Sequence, residues 1–193
     1  MMDESLHRVM VVGVSCSGKS TFARQLSQHI DGRHIELDAL HWQQGWKGRP
    51  RHEFLTELSG LIEAERWVCD GGYSFSWPTI WPQATALVWL NYSLPLVWKQ
   101  AWSRTWNRVR TQEELWNGNR ESFRHAYLSR NSILLWVLQS YGKIRRTYRE
   151  VFTSNEYEHL TRIELRSPRE AQQFFDALGE GSRGSQLENP ARR

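Results

Sequence analysis

The sequence predicts an α/β fold in which helices cover both faces of a parallel sheet. Short apolar runs rich in β-branched residues alternate with longer stretches of helical periodicity along most of the 193 residues. Alternation of this kind builds right-handed β-α-β crossovers and hence a parallel sheet. The length suits one well-cored domain, which we place at residues 1–178. Residues 179–193 carry Gly, Ser, Pro and Arg without apolar periodicity, so we expect a disordered tail there.

The elements can be assigned in order along the chain. Apolar runs predict five strands, at residues 8–13, 34–37, 66–69, 86–90 and 163–165. Helical spacing predicts helices at residues 19–30, 50–65, 94–110, 120–152 and 169–178, the fourth with a weak point at Gly142. Ser167 and Pro168 suit the start of the last helix, and Gly179 suits its end. Trp98, Trp102 and Trp106 recur every four residues, which predicts a buried stripe on the third helix.

A glycine-rich stretch joins the first strand to the first helix, with the sequence Gly13-Val14-Ser15-Cys16-Ser17-Gly18-Lys19-Ser20. It matches G-x-x-x-x-G-K-[ST], the P-loop pattern, between a strand and a helix as the pattern requires. The glycines let the backbone wrap around a polyphosphate, the helix N-terminus offers unpaired N–H groups, and Lys19 adds a positive charge. The alternative, a plain glycine turn with a solvated lysine, leaves these matches to coincidence. We therefore predict an ATP site made by Gly13, Ser15, Cys16, Ser17, Gly18, Lys19, Ser20 and Thr21.

Two aspartates follow the second and third predicted strands. The carboxyl ends of parallel strands meet at one edge of the sheet, so Asp38, Asp70 and the P-loop should border one crevice. Asp70 is the candidate that holds Mg²⁺ together with the hydroxyl of Ser20. Asp38 is the candidate that orients a phosphoryl acceptor or accepts its proton. Each aspartate has a plainer alternative as a turn or helix-cap residue. Likewise, His41, Trp42 and Trp46 either form a substrate wall or simply pack a glycine-rich loop.

Basic residues are concentrated between Lys99 and Arg130, where seven of them face three acidic residues. Arg104 and Arg108 lie one helical turn apart, and Arg120 and Arg124 repeat that spacing. Two such pairs around Gly118 predict a lid at about residues 104–124, whose arginines neutralise charge on a transferred phosphoryl group. The alternative is a solvated helix face.

Other function classes find little support in the composition. The sequence has no run of about 18 apolar residues and no signal-peptide pattern at Met1–Ser5, so we expect a cytoplasmic protein that does not bind membranes. Two cysteines, Cys16 and Cys69, are too few for a disulfide framework. The seven histidines show no metal-ligand spacing, and no nucleophile–histidine–acid pattern is present.

Four motifs together resemble one family. They are Gly13 to Ser20, Leu37-Asp38-Ala39-Leu40-His41-Trp42, Asp70-Gly71-Gly72-Tyr73 and Glu114-Leu115-Trp116-Asn117-Gly118-Asn119-Arg120-Glu121. The chain resembles, over about residues 8–178, the small P-loop kinases of the nucleoside-monophosphate-kinase group. Within that group it is similar to the adenylate-kinase-like proteins often labelled DNA topology modulation protein.

The resemblance implies a P-loop NTPase fold with a five-stranded parallel sheet in the order 2-3-1-4-5 and a helical lid. Arg104 and Arg108 look like the pair that begins the lid, and Arg120 and Arg124 like the pair that returns from it. The loop from Arg166 to Pro168 looks like the segment beside the adenine, so both residues are candidate nucleotide contacts. Asp70 looks like the aspartate of the Asp-Gly-Phe-Pro-Arg turn. Here Gly72-Tyr73-Ser74 follow, so the proline and the arginine that helps to bind the acceptor phosphate are absent.

These features favour an ATP-dependent phosphotransferase that acts on a small acceptor, either a nucleotide or a hydroxyl compound, with ATP and Mg²⁺ as cofactors. The competing hypothesis is a nucleotide-dependent regulator or nucleic-acid-associated ATPase, suggested by the family label, the basic helix and a pI near 9.3. A nucleotide sensor without catalysis is the third alternative.

Overall fold

The structure, a computed structural model, describes residues 5–112, 114–119 and 132–187. Its centre is a parallel sheet of five strands: β1 (Arg8–Gly13), β2 (Arg33–Glu36), β3 (Trp67–Asp70), β4 (Ala86–Leu90) and β5 (Thr161–Leu165). They lie in the order β2-β3-β1-β4-β5, and every neighbouring pair is parallel. The α/β class and the strand order predicted above are therefore confirmed.

Helices connect the strands and cover both faces of the sheet. The helices of the described part are α1 (Lys19–His29), α2 (Leu37–His41), α3 (Arg51–Leu61), α4 (Trp77–Ile80), α5 (Leu94–Thr111), α6 (Ile133–Thr153) and α7 (Pro168–Leu187). Short 3-10 turns occur at Ser74–Ser76, Trp81–Gln83 and Trp116–Gly118. A small antiparallel ribbon, Trp42–Gln43 paired with Lys47–Gly48, follows α2. No helix of the described part is both long and apolar enough to cross a bilayer.

The core has two layers because alternate residues of β1 point to opposite faces. Val9 and Val11 face α1, α5 and α7, where they belong to one cluster with Leu26, Val97 and Phe175. Met10 and Val12 face α3 and α4, in a second cluster with Phe54, Leu58 and Ile80. The long helix α6 contributes to both clusters, through Val137 and Tyr148 respectively.

Two helix boundaries differ from the predictions. Helix α7 continues through Gly179 to Leu187, into the segment predicted as a tail, and residues 188–193 lie outside the described residues. Helix α6 passes unbroken through Gly142. An exposed glycine costs a helix only about 1 kcal/mol relative to alanine, so packing of the helix on the sheet can outweigh it. Residues 120–131 of the predicted fourth helix lie outside the described residues, and α6 begins after Ser132, whose Oγ accepts from the Leu135 amide at 3.2 Å.

The predicted buried tryptophan stripe on α5 is wrong for two of its three members. Trp98 packs partly against the core, but Trp102 is 50 % exposed and Trp106 52 % exposed. The buried residues of α5 are Val97, Ala101 and Thr105. This smaller row shares the four-residue spacing and lies one position before the tryptophans. Small side chains there let α5 pack closely, which leaves the larger indoles at the flank.

Candidate active site

The carboxyl ends of three neighbouring strands carry the predicted site. Gly13 ends β1 and opens the P-loop, Asp70 ends β3, and Asp38 lies in α2 just after β2. In the sheet, Val11 pairs with Asp70 and Glu36 also pairs with Asp70, so these strand ends are level. The charges of both Asp38 and Asp70 act on Lys19. The structure thus brings the P-loop lysine and the two aspartates together, as the sequence predicts.

The P-loop owes its path to two glycines. Gly13 has φ 148°, and a Cβ there would lie 2.7 Å from the carbonyl oxygen of Leu90, so only glycine fits against β4. Gly18, immediately before α1, has φ 91° and makes the left-handed step that starts the helix. Within the loop the Ser17 amide donates to the Val14 carbonyl at 3.2 Å. The loop therefore curls back on itself in front of the N-terminus of α1, where unpaired N–H groups attract anions.

Lys19 and its surroundings are suited to bind an anion. Its Nζ donates to the Val14 carbonyl at 3.0 Å. Burial lowers the pKa of Lys19, the charges of Asp38 and Asp70 oppose that shift, and the charge of Arg104 adds to it. Among the described residues, the buried Ser17 Oγ and Arg104 Nε have no hydrogen-bond partner. Phosphate oxygens would be suitable hydrogen-bond acceptors for both groups.

Asp70 is 3 % exposed and divides its two carboxylate oxygens between two partners. The Ser20 hydroxyl donates to Oδ2 at 2.6 Å. The imidazole of His34, on β2, approaches Oδ1 with its Nε2 at 2.8 Å. A hydroxyl and a carboxylate are oxygen ligands that suit Mg²⁺, which commonly takes one or two protein groups and completes its shell with phosphate oxygens and water. No cluster of three His, Cys, Asp or Glu able to hold a metal occurs among the described residues. The hydrogen bond brings together Ser20 and Asp70, the two residues that the sequence analysis selects for Mg²⁺.

Asp38 has a hydrogen-bond partner of its own, separate from those of Asp70. The Tyr73 hydroxyl donates to Asp38 Oδ1 at 2.8 Å. Burial and the nearby Asp38 charge raise the pKa of Tyr73, which keeps its hydroxyl protonated as a donor. The ring of His41 lies 4.6 Å from that of Tyr73, and burial lowers the pKa of His41 against the opposing charge of Asp38. Asp38 is therefore bordered by a phenol and an imidazole held toward its neutral form.

Aromatic rings continue from His41 toward α5. Ring centroids lie 4.7 Å apart for His41 and Trp42, 5.7 Å for Trp42 and Trp46, and 6.3 Å for Trp46 and Trp116. The guanidinium of Arg108 lies 5.8 Å from the centre of the Trp116 ring. These rings thus pack on one another and also connect the segment after Asp38 to helix α5.

A buried asparagine, Asn119, forms hydrogen bonds with the backbone on either side of this aromatic row. Asn119 is 4 % exposed. Its Nδ2 donates to the carbonyls of Gln43 at 3.0 Å and Trp116 at 2.8 Å, and its Oδ1 accepts from the Trp46 amide at 3.0 Å. Asn117 adds a hydrogen bond from its Nδ2 to the Trp42 carbonyl. We call the turn at residues 115–119 the Asn119 turn; its side chains lock it onto the ribbon that follows Asp38.

No protein-family model and no curated protein sequence matches the chain. Among solved structures, it is similar to a gluconokinase from Sinorhizobium meliloti 1021, with a TM-score of 0.50 and 18 % identity over 93 % of this chain and 97 % of that one. It is also similar to the YorR protein of Bacillus subtilis in complex with phosphorylated GDP, with a TM-score of 0.50 and 14 % identity over 91 % and 97 % of the two chains. The similarity concerns the fold, an α/β arrangement of helices around a parallel five-stranded sheet.

The other predicted site residues fall into three groups. Cys16 is buried, Ser15 is half-buried and Thr21 is exposed on the first turn of α1. Arg166 and Pro168 are exposed after β5, and the Arg166 side chain pairs with Glu164 at 2.9 Å, which lowers the pKa of that carboxyl. Arg120 and Arg124 lie outside the described residues, so the predicted lid is described only as far as Asn119.

His34 and Tyr73 are the partners that the sequence analysis did not assign to the candidate site. His34 precedes Asp70 by 36 residues, and Tyr73 follows Asp38 by 35. The register of β2 against β3 offers a signal for His34, because residues opposite one another in a sheet share a face. His34 pairs with Val68, so its side chain lies on the same face as that of Asp70. The strand order together with the register would have been enough to find it.

Proposed function

We propose that the protein is an ATP-dependent phosphotransferase that transfers a phosphoryl group to a hydroxyl group of a small acceptor. The observation that carries this proposal is the separation of two carboxylates around one P-loop lysine. Asp70 is bonded to Ser20 and His34, whereas Asp38 is bonded to Tyr73. Two carboxylates with different partners suit two different tasks, one on the donor side and one on the acceptor side.

On the donor side, the P-loop amides and Lys19 would bind the phosphates of ATP, and Arg104 would contribute a further positive charge. Ser20 and Asp70 would hold Mg²⁺, which when bound neutralises phosphate charge. Arg104 has its Nε buried without a partner among the described residues, and its charge acts on Lys19. Its guanidinium is therefore close to the P-loop and suited to phosphate oxygens.

On the acceptor side, Asp38 would accept the proton of the acceptor hydroxyl. The hydroxyl oxygen forms a bond to the γ-phosphorus of ATP while the bond from that phosphorus to the β–γ bridging oxygen breaks, so ADP leaves with the displaced electron pair. The proton passes to the Asp38 carboxylate. The Tyr73 hydrogen bond to Oδ1 leaves Oδ2 of Asp38 to face the acceptor.

A hydroxyl acceptor is favoured over a nucleotide phosphate by the residues that follow Asp70, which include neither proline nor arginine in the turn Gly71-Gly72-Tyr73-Ser74. Tyr73 follows the Asp70 turn where the nucleoside-monophosphate kinases place residues that bind the acceptor phosphate. Arg49 forms an ion pair with Glu57, and the Arg51 guanidinium lies 5.0 Å from the centre of the Phe75 ring. Each of these two arginines thus has a side-chain partner, and the buried Nε of Arg49 has none among the described residues. The adenylate-kinase-like resemblance would then concern the donor half of the site more than the acceptor half.

The test is a screen with γ-labelled ATP against nucleoside monophosphates, sugars, polyols and hydroxy acids. We expect the wild-type chain to label a hydroxyl compound, and Lys19→Ala to reduce turnover by at least a hundredfold while the fold is kept. Lys143→Ala, which removes an exposed lysine of α6, is the matched control and should behave like wild type. Equal turnover by Lys19→Ala and wild type would refute a P-loop phosphotransferase.

The alternative of a nucleic-acid-associated ATPase, of the DNA topology modulation type, is supported by one feature of α5. Lys99, Trp102, Trp106 and Arg110 are all exposed on this helix, and such a mixture of rings and cations suits nucleic acid. Binding of duplex DNA that weakens steeply with salt, with ATP turnover raised by DNA, would favour this function. If the protein does not bind DNA at physiological salt, the nucleic-acid-associated function is refuted and the kinase function is favoured.

A further inference from the structure

We infer that His34 positions the Asp70 carboxylate for cation binding, by holding one carboxylate oxygen while the other serves Ser20 and the cation. The inference rests on the proposed function, because it concerns the donor half of that site. It makes His34 a positioning residue that acts through Asp70.

The two oxygens of Asp70 have separate partners on separate elements. Ser20, on α1, donates to Oδ2 at 2.6 Å, and His34, on β2, contacts Oδ1 at 2.8 Å. A carboxylate only accepts hydrogen bonds, so the hydrogen of the second bond is carried by Nε2 of His34. The carboxylate is therefore held at both oxygens, and neither partner can replace the other.

A cation shared by Ser20 and Asp70 would draw on Oδ2, the oxygen that faces Ser20. The Ser20 hydroxyl would then offer its lone pairs to the cation and give up its hydrogen bond to Asp70. The bond from His34 to Oδ1 does not compete with the cation, so it is the contact that persists when the site is loaded. Hydrogen bonds to a ligating carboxylate orient it, and their loss commonly weakens metal affinity.

Burial makes His34 hard to replace by solvent. The side chain of Asp70 is 3 % exposed and that of His34 is 18 % exposed. The parallel pairing of β2 with β3 sets His34 opposite Val68, two residues before Asp70 and on the same face. Both backbones belong to the sheet, so the orientation of the carboxylate is fixed by rigid elements and not by a loop.

The experiment measures metal affinity directly. Mn²⁺ binding to the full chain saturated with AMP-PNP is followed by electron paramagnetic resonance, and AMP-PNP binding in EDTA is followed by calorimetry. We expect His34→Ala to weaken Mn²⁺ binding by about tenfold or more. AMP-PNP affinity in EDTA should change by less than about twofold, because the P-loop contacts do not involve His34. His34→Gln, which keeps an N–H donor, should recover most of the Mn²⁺ affinity.

His159→Ala is the matched control. His159 also uses Nε2, contacting the Trp81 carbonyl at 3.2 Å, but just before β5, at the opposite edge of the sheet from the site. This variant should bind Mn²⁺ like wild type.

Three results would overturn the inference. Unchanged Mn²⁺ affinity in His34→Ala would remove any role in positioning. A loss of AMP-PNP affinity that is equal with metal and in EDTA, and is not rescued by glutamine, would show that His34 only supports the fold. Failure of the wild-type chain to bind AMP-PNP at all would refute the proposed function, and the inference would fall with it.

Discussion

At the scale of single residues, the hydrogen bond from Tyr73 to Asp38 can be tested with a single substitution. Tyr73→Phe removes the hydroxyl that donates at 2.8 Å and keeps the ring that packs against His41 and Phe54. Hydrogen bonds to charged groups contribute about 1.5–3 kcal/mol, so we expect kcat to fall by about tenfold to a hundredfold. The KM for ATP should be unchanged, because the proposed function places Tyr73 on the acceptor side.

The measurement is steady-state phosphoryl transfer to the acceptor that the labelling screen identifies. Tyr141→Phe is the matched control, since its hydroxyl donates to the Tyr92 carbonyl at 2.9 Å and not to Asp38. If Tyr73→Phe and Tyr141→Phe had equal kcat values, Tyr73 would not aim Asp38. A rise in the KM for ATP would place Tyr73 on the donor side instead.

At the scale of elements, the Asn119 turn joins two segments that are far apart in sequence. The side chain of Asn119 makes three hydrogen bonds to the ribbon and to Trp116, and two of its partners are more than 70 residues away. Left-handed backbone occurs on both sides of this contact, with φ 58° at Trp46 and φ 55° at Asn117. Such conformations cost free energy and persist where the surrounding contacts demand them. The side chain of Asn119 bonds directly to the backbone amide of one of these residues, Trp46.

Asn119→Ala should therefore destabilise the chain measurably. It deprives the Trp46 amide and the Gln43 carbonyl of their partner, and we expect a loss of about 2–3 kcal/mol in the free energy of unfolding. Urea denaturation followed by tryptophan fluorescence measures it. Asn107→Ala, at an exposed position of α5, should change stability by less than about 0.5 kcal/mol. Equal changes in the free energy of unfolding for the two substitutions would mean that the hydrogen bonds of Asn119 contribute little to stability.

The elements also show what sequence alone can predict. The five strands and the P-loop were predictable because their signals are local: apolar runs and a glycine pattern between a strand and a helix. Helix α2 and the ribbon were not, because residues 37–48 carry no periodic signal and their shape depends on contacts with residues 115–119. The exposure of Trp102 and Trp106 was missed for a related reason. Spacing identifies the rows on a helix, and only the neighbouring helix decides which row is buried.

At the scale of the whole molecule, the proposed donor and acceptor halves of the site differ in how far they can be predicted from local sequence signals. The donor half is built from one continuous stretch and the end of β3, so pattern and strand order together locate it. The acceptor half combines α2, the turn after β3 and the Asn119 turn, which meet only in the folded chain. Its residues could be suspected from the sequence, but the pairing of Asp38 with Tyr73 could not.

Buried tyrosines give the molecule a predictable response to alkali. Burial raises the pKa of Tyr92 to about 12 and raises those of Tyr73 and Tyr148 further. In the unfolded chain these phenols ionise near pH 10. A folded pKa above the unfolded one contributes stability that is fully present below the unfolded pKa and is lost as the pH rises toward the folded value. The free energy of unfolding should therefore fall above pH 10.

Tyr148→Phe isolates one of these contributions. Tyr148 is 3 % exposed among the rings of Trp77 and Trp89, and phenylalanine keeps that packing. Between pH 10 and pH 11 we expect the variant to lose about 1 kcal/mol less stability than wild type, because one ionisable phenol no longer has to stay protonated in the fold. At pH 8 the two proteins should differ by less than about 1 kcal/mol. Urea denaturation at these pH values gives both numbers, and parallel losses in the two proteins would show that Tyr148 can ionise within the folded chain.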